Sequence, residues 1–223
     1  MSAEGSGLVP GDHPDRIKWN AKYGTGFVPS FRRHPLAVRA LATDLPDGPV
    51  ADLACGPSGS ALLAAEQGRR VTAVDVSEVA LGLLGAEARR LGLDHLITLV
   101  HADLSAWAPQ LRSYALVLAT GFWDANVFRT AAGAVTDGGL LAWEALTTEA
   151  RWRHPDLPPE FCVGPGEPAS LLPPGFGVLD QSEVPGRARR RLLAQPGRSA
   201  APLPTLVQPG QFPPPARAMT HGR

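Results

Sequence analysis

Cysteine is scarce in this chain: Cys55 and Cys162 are the only two in 223 residues. Two distant thiols give no metal-ligand spacing and no disulfide framework, so no metal is expected. Long apolar runs are missing too. None approaches the roughly 18 residues of a membrane-spanning helix. The start, Met-Ser-Ala-Glu-Gly-Ser-Gly, has neither the basic residues nor the apolar centre of a secretory signal, which points to the cytoplasm. A net charge is also absent, with 21 Lys and Arg against 21 Asp and Glu. No global field then favours nucleic acid or an anionic membrane, and no protein partner is indicated. What remains is 44% hydrophobic residues, enough to fill the core of one domain.

The chain is organised around Val50-Ala-Asp52-Leu-Ala54-Cys55-Gly56-Pro57-Ser58-Gly59-Ser60. A short apolar strand stops in a Gly-rich turn, and a helix of strong formers follows to Gln67, closed by Gly68. A second apolar strand, residues 70–75, ends in Asp75. Strand, turn, helix, strand and terminal acid form the nucleoside-binding half of a doubly wound sheet, where ligands lie beyond the carboxyl ends of the strands. A dinucleotide turn offers backbone N–H groups to a pyrophosphate. This one has Pro57, which has no N–H, and Ser58 where the second glycine would stand. Asp52 at its base repels a diphosphate but suits a positive centre. S-adenosylmethionine has no phosphate and carries a sulfonium, and Asp75 would then accept from its ribose hydroxyls.

Residues 52–59 resemble the first motif of class I S-adenosylmethionine-dependent methyltransferases, commonly D-x-G-x-G-x-G. Ala-Val-Asp75-Val76-Ser resembles their second motif and His101-Ala102-Asp103-Leu104 their third. The order and spacing hold over roughly residues 15–195. Ala54 replaces the first glycine, and Ser58 with Gly59 replaces the third. In layout the chain is similar to the small tellurite-resistance-type members. The resemblance implies an α/β, doubly wound, mostly parallel seven-stranded sheet with an antiparallel last strand. It also implies S-adenosyl-L-methionine as cofactor and a small-molecule acceptor.

The remaining elements follow in order. Residues 1–13 are expected to be flexible and 14–195 to form the domain. Pro14 opens a helix whose Trp19 and Tyr23 share one face. They cap the core or, as the resemblance suggests, close a lid over the cofactor. His34 is a structural histidine or a pocket residue. Ser77 caps a helix to about Leu91, with a stripe of Val79, Leu83, Leu84 and Leu91. Asp103 is either a turn aspartate or the acceptor for the adenine amino group, framed by Ala102 and Leu104. With Asp52 and Asp75 at the neighbouring tips, the adenine role is favoured. Residues 114–120 form a central strand ending at Thr120, which the resemblance turns toward the methionine arm. Phe122 and Trp123 would line the acceptor pocket. Asp124 caps the next helix, and Asp137-Gly-Gly turns into a strand at Leu140, on which Trp143 and Glu144 face opposite ways.

Glu144 is a pocket acid or a paired carboxylate. The proline-rich stretch 148–176, with Trp152 and His154, is expected to be a substrate-side insertion. Residues 176–184 and 188–195 form a hairpin, and Arg189, Arg190 and Arg191 read as a solvated edge strand. The tail, 196–223, has seven prolines and no acid, and is expected to be disordered.

The cofactor-binding expectation therefore covers Trp19, Tyr23, Asp52, Ala54, Cys55, Gly56, Gly59, Asp75, Val76, Ala102, Asp103, Leu104 and Thr120. The pocket candidates are His34, Phe122, Trp123, Glu144 and His154, with no catalytic residue assigned. Two rivals are a non-catalytic nucleoside-binding or interaction protein and a nicotinamide-dependent oxidoreductase. The second explains Asp75 but not Pro57, Asp52 or the terminal hairpin.

Overall fold

The structure, a computed structural model, describes residues 9–197. In chain order the strands are β1 (Val50–Leu53), β2 (Val71–Asp75), β3 (Ile97–His101), β4 (Tyr114–Thr120), β5 (Val135–Leu146), β6 (Phe176–Glu183) and β7 (Arg189–Pro196). They form one sheet in the order β3-β2-β1-β4-β5-β7-β6. The first five are parallel, and β7 runs antiparallel to both β5 and β6. The expected seven-stranded, doubly wound sheet with an antiparallel last strand is the sheet observed.

The helices are α1 (Pro14–Tyr23), α2 (Pro35–Leu41), α3 (Gly59–Glu66), α4 (Glu78–Arg90) and α5 (Ala125–Ala134). Side-chain alternation along the strands divides the core in two. Val50, Leu116, Leu118, Leu140 and Ala142 face the layer of α2, α3 and α4. Leu53, Val117, Leu141 and Trp143 face α5. Central β4 is buried on both faces, which is why it is apolar from end to end. Three helices begin on side-chain caps that the sequence announces: Ser58, Ser77 and Asp124 each accept from backbone N–H groups of the first turn.

Several expectations are corrected. On α4 the buried stripe is Ala80, Leu81, Leu84, Gly85 and Ala88, while Leu91 is exposed. Small residues face the sheet because the helix packs close: a Cβ on Gly85 would lie 2.8 Å from Leu99 Cδ1. Strand β5 begins at Val135 rather than Leu140, and residues 136–139 are absorbed as a register shift against β4. Arg189, Arg190 and Arg191 do not form a solvated edge, because β6, not β7, closes that side of the sheet. All three are half-buried and paired with acids. At the N-terminus Val9 is buried, and its carbonyl accepts from Arg16 Nη1. Residues 9–13 are thus anchored, while residues 1–8 lie outside the described residues. Pro196 belongs to β7, and Gly197 N–H donates to Gly175 O at 2.6 Å. The rest of the expected tail, 198–223, lies outside the described residues.

The stretch 148–176 consists of three short 3-10 turns tied to the sheet. Val163 N–H donates to Leu146 O at 2.8 Å, and Arg190 Nη1 donates to the carbonyls of Gly164 and Glu167. Val163, Ala169, Leu171 and Leu172 pack on the α5 face.

Gly59 marks the tightest packing near the sheet's carboxyl edge. A Cβ there would lie 2.3 Å from Phe31 O and 2.6 Å from Arg32 O, both backbone atoms that cannot rotate away. Gly59→Ala is therefore expected to cost about 2–3 kcal/mol. Urea unfolding measures this, and a cost below about 0.5 kcal/mol would contradict the close approach.

Candidate functional site

The side chains of interest lie at the carboxyl ends of the parallel strands, on the α2–α3–α4 face. Register and alternation place Asp75, Asp52, Thr120, Glu144 and Arg191 on that face of β2, β1, β4, β5 and β7. These five strands are adjacent, so the residues form a polar row across the sheet. Its β2–β1 end is acidic and its β5–β7 end is dominated by arginine.

Asp52 is almost wholly buried, and burial pushes its carboxyl up to about 7 against the opposing pull of the Ser58 hydroxyl. Ser58 Oγ donates to Asp52 Oδ2 at 2.5 Å and accepts from Ser60 N–H and Ala61 N–H at 3.1 and 3.0 Å. One hydroxyl thus holds the buried acid and caps α3, a double role the motif comparison missed. The sequence signal was present: serine before Gly-Ser-Ala is a helix N-cap.

Two further amides of the turn are taken from within. Cys55 N–H donates to Val74 O at 3.1 Å, and Gly56 N–H donates to Asp75 Oδ2 at 2.8 Å. Asp75 Oδ1 accepts from Ser77 N–H at 2.8 Å. Each Asp75 oxygen keeps a second lone pair. Burial raises its carboxyl against these hydrogen bonds. Burial, with Asp52 and Asp75 adding to it, also drives the Cys55 thiol well up, so Cys55 is no thiolate nucleophile. Ala54 adopts φ +47°, a left-handed conformation that its glycine counterpart would hold without strain.

Helix α1 lies across the turn. Arg16 grips both oxygens of Glu78 at the start of α4, and Ser77 Oγ donates to Asn20 Oδ1 at 2.7 Å. The Arg16 guanidinium holds Glu78 down at about 2. Tyr23 comes so close over the turn that a Cβ on Gly56 would lie 3.0 Å from its hydroxyl oxygen. Burial, reinforced by nearby Asp75 and Cys55, pushes that phenol up to about 12. Trp19 stacks on Tyr23 at 5.8 Å and Phe27 meets it edge-on at 5.0 Å. Arg16 and Asn20, which fasten α1, were not singled out from the sequence; their partners are 62 and 57 residues away.

At the other end Glu144 is buried on β5. Burial would raise it, but hydrogen bonds from His34 and Arg191 outweigh burial and hold it at about 2. Arg191 Nε lies 2.6 Å from Oε2, and Arg189 Nη1 and His34 Nε2 each lie 3.4 Å from Oε1. His34 Nδ1 accepts from Leu36 N–H at 3.2 Å, capping α2. The ring proton therefore sits on Nε2, facing Glu144.

Other candidates lie elsewhere. Trp123 is 5% exposed and packs against Phe128 and Trp143, a core side chain rather than a pocket wall. Partly buried Phe122 packs against the same cluster, and its carbonyl accepts from Trp143 Nε1. Gly59 is covered by the backbone of residues 31–32, so its role is close packing. Ala102 and Leu104 are core side chains. Asp103 accepts from its own turn, from Ser105 N–H and Oγ, and lies 3.4 Å from His13 Nε2. That is the turn-aspartate alternative. Val76 has its carbonyl 3.0 Å from His101 Nε2. Thr120 is part-exposed at the tip of β4, and His154 is exposed. No cluster of metal-ligating side chains occurs among the described residues.

Residues 50–139 match the family model described as a methyltransferase domain. Over this span, from β1 into β5, the chain is similar to methyltransferase domains, and its sheet has the strand order and antiparallel last strand that the class I resemblance implies. Trans-aconitate 2-methyltransferase of Sinorhizobium medicae is 33% identical over 133 residues, 56% of this chain and 49% of that protein. The chain thus spans about half the length of this curated relative. Among solved structures, magnesium protoporphyrin IX methyltransferase of Synechocystis, with bound S-adenosylhomocysteine, aligns at TM-score 0.60 and 18% identity. That alignment covers 82% of this chain and 94% of the other. TehB of Haemophilus influenzae aligns at TM-score 0.59 and 19% identity, over 81% and 66% of the two chains. At these identities the two structures establish the fold. No helix among the described residues is long and apolar enough to cross a membrane.

Ser58→Ala removes both the cap and the donor to Asp52. A loss of about 2 kcal/mol is expected. The hydroxyl favours the charged carboxylate, so the loss should be greater at pH 8 than at pH 5. Urea unfolding at both values measures it, and an equal loss would mean that Ser58 acts as a cap alone.

Proposed function

We propose that the protein is an S-adenosylmethionine-dependent methyltransferase acting on a small-molecule acceptor in the cytoplasm. The observation that carries this reading is the state of the turn. Its Cys55, Gly56, Ser60 and Ala61 amides are already bonded within the protein, and Pro57 has none, so the turn is a poor cradle for a pyrophosphate. The acids fit the adenosyl cofactor instead. Asp75 has lone pairs left for two ribose hydroxyls, and Asp52 supplies negative charge beneath a cationic sulfur. Tyr23 and Trp19 would close over the nucleoside, and the backbone at 102–104 would meet the adenine edge.

When bound, S-adenosylmethionine supplies a methyl group on a leaving sulfur that departs neutral. The protein's part is then alignment and exclusion of water. A thiol, thiolate or oxyanion acceptor would need no dedicated base. His34 and Glu144 are poorly placed to be one. The free lone pair of His34 is spent on Leu36 N–H, and Glu144 is held at about 2 by its cationic neighbours.

Calorimetric titration tests the cofactor. S-adenosylmethionine and S-adenosylhomocysteine should bind at micromolar concentration and NAD should not. Asp75→Ala, checked for folding by circular dichroism, should weaken adenosyl binding at least tenfold. No adenosyl binding by the folded parent chain would sink the proposal.

Asp52 predicts a pH signature. Its folded value is raised to about 7, so it is largely neutral at pH 6 and ionised at pH 8. A sulfonium gains attraction as Asp52 ionises, whereas the thioether of S-adenosylhomocysteine gains none. The affinity ratio of the two ligands should therefore rise severalfold from pH 6 to pH 8, and Asp52→Asn should flatten it. A ratio independent of pH in the parent chain would remove Asp52 from the sulfonium site.

A further inference from the structure

We infer that the acceptor carries a carboxylate, and that Arg189 binds it at the tip of β4. This rests on the methyltransferase reading and narrows it to a substrate class. Arg189 stands at the start of β7, and its guanidinium reaches back over Gly121, just past the end of β4. A Cβ on Gly121 would lie 3.5 Å from Arg189 Nη1, so the absence of a side chain there lets the guanidinium settle over the strand tip. Gly121 N–H is itself bonded to Glu144 O at 2.7 Å, which fixes the floor beneath it.

The two arginines on this face are used differently. Arg191 is committed to Glu144 through Nε at 2.6 Å. Arg189 has one long contact, Nη1 to Glu144 Oε1 at 3.4 Å, in which His34 Nε2 shares the same oxygen. Among the described residues the remaining N–H groups of Arg189 have no protein acceptor, and its side chain is 31% exposed. A guanidinium presents five donors in a planar fork matched to a carboxylate.

Charge points the same way. Arg189 and Arg191 are positive and Glu144 is held ionised, so two guanidiniums face one carboxylate and the cluster has positive charge to spare, which the planar carboxylate of a ligand neutralises. The acidic end of the row, at Asp52 and Asp75, repels an anion and leaves the arginine end as its place. Where the carboxylate oxygen itself takes the methyl group, its O–C bond forms as the sulfonium C–S bond breaks, the thioether leaves neutral and no base is needed; neither His34 nor Glu144 is free to act as one. Glu144 is a positioning residue here: it holds Arg191 and steadies Arg189 without reaching the acceptor.

The test uses the full chain saturated with S-adenosylhomocysteine. Benzoate, fumarate, citrate, their neutral methyl esters and inorganic phosphate are titrated by calorimetry. At least one carboxylate should bind, with its ester at least tenfold weaker. Arg189→Gln should weaken the carboxylate at least tenfold while S-adenosylhomocysteine affinity stays within twofold. Arg189→Lys, which keeps the charge but loses the fork, should fall between. Failure of all three carboxylates to bind, equal binding by Arg189→Gln, or preference for phosphate would overturn the inference and leave the cofactor assignment standing. Failure of S-adenosylhomocysteine itself to bind would overturn both.

Discussion

Burying a carboxylate at the end of a central strand is costly unless the group is neutral or well partnered. Asp52 stands in that position, and the local structure depends on how its charge is managed. Ser58 donates one hydrogen bond to it while capping α3, so the helix start and the buried acid share one hydroxyl. Ser58 and Gly59 stand where the usual motif has its last glycine. Gly59 lets the backbone of residues 31 and 32 close over the helix start, and that segment brings His34 within electrostatic reach of Asp52. One buried charge thus links β1, the turn, α3 and the chain entering α2.

The same economy explains the row of charges. Strand alternation alone puts Asp75, Asp52, Thr120, Glu144 and Arg191 on one face, but it does not fix their signs. Acids cluster over β2 and β1, and cations over β5 and β7. A ligand pair in which one member is a sulfonium and the other an anion would lie along that gradient, the methyl group near β4 between them. The gradient survives burial because each member has partners: Asp75 has two backbone amides, Asp52 a hydroxyl, Glu144 two arginines and a histidine.

The acidic half of this arrangement was legible in the sequence. Each acid follows an apolar run whose length and β-branched content mark a strand, and the turn between Asp52 and Asp75 is local. The hairpin at the end was legible for the same reason. The arginine half was not. Whether Arg189 and Arg191 face solvent depends on β6 being the edge strand and β7 being inserted beside β5. That ordering is a tertiary fact with no local signal. The α4 stripe failed differently: hydrophobicity selected Val79, Leu83 and Leu91, but close packing on β3 selected the small residues Ala80, Gly85 and Ala88. Trp123 was drawn to the pocket by its place after β4, although a large apolar ring next to Phe128 and Trp143 gains more from the core.

No residue of α1 is fully buried, and it is held by few contacts: a part-buried ion pair from Arg16 to both oxygens of Glu78, one hydroxyl-to-amide hydrogen bond at Ser77, and stacked rings over the turn. Pro14 and Gly24 bound the helix. Tyr23 lies over the turn that Asp75 supports, and a nucleoside bound there, as proposed, would have to displace it. On the proposed cofactor reading, an α1 docked as firmly as α3 would seal Asp75 from a ribose. A base and ribose in that space would give Trp19, Tyr23 and Phe27 an apolar surface to cover, so the ligand would stabilise the closed position.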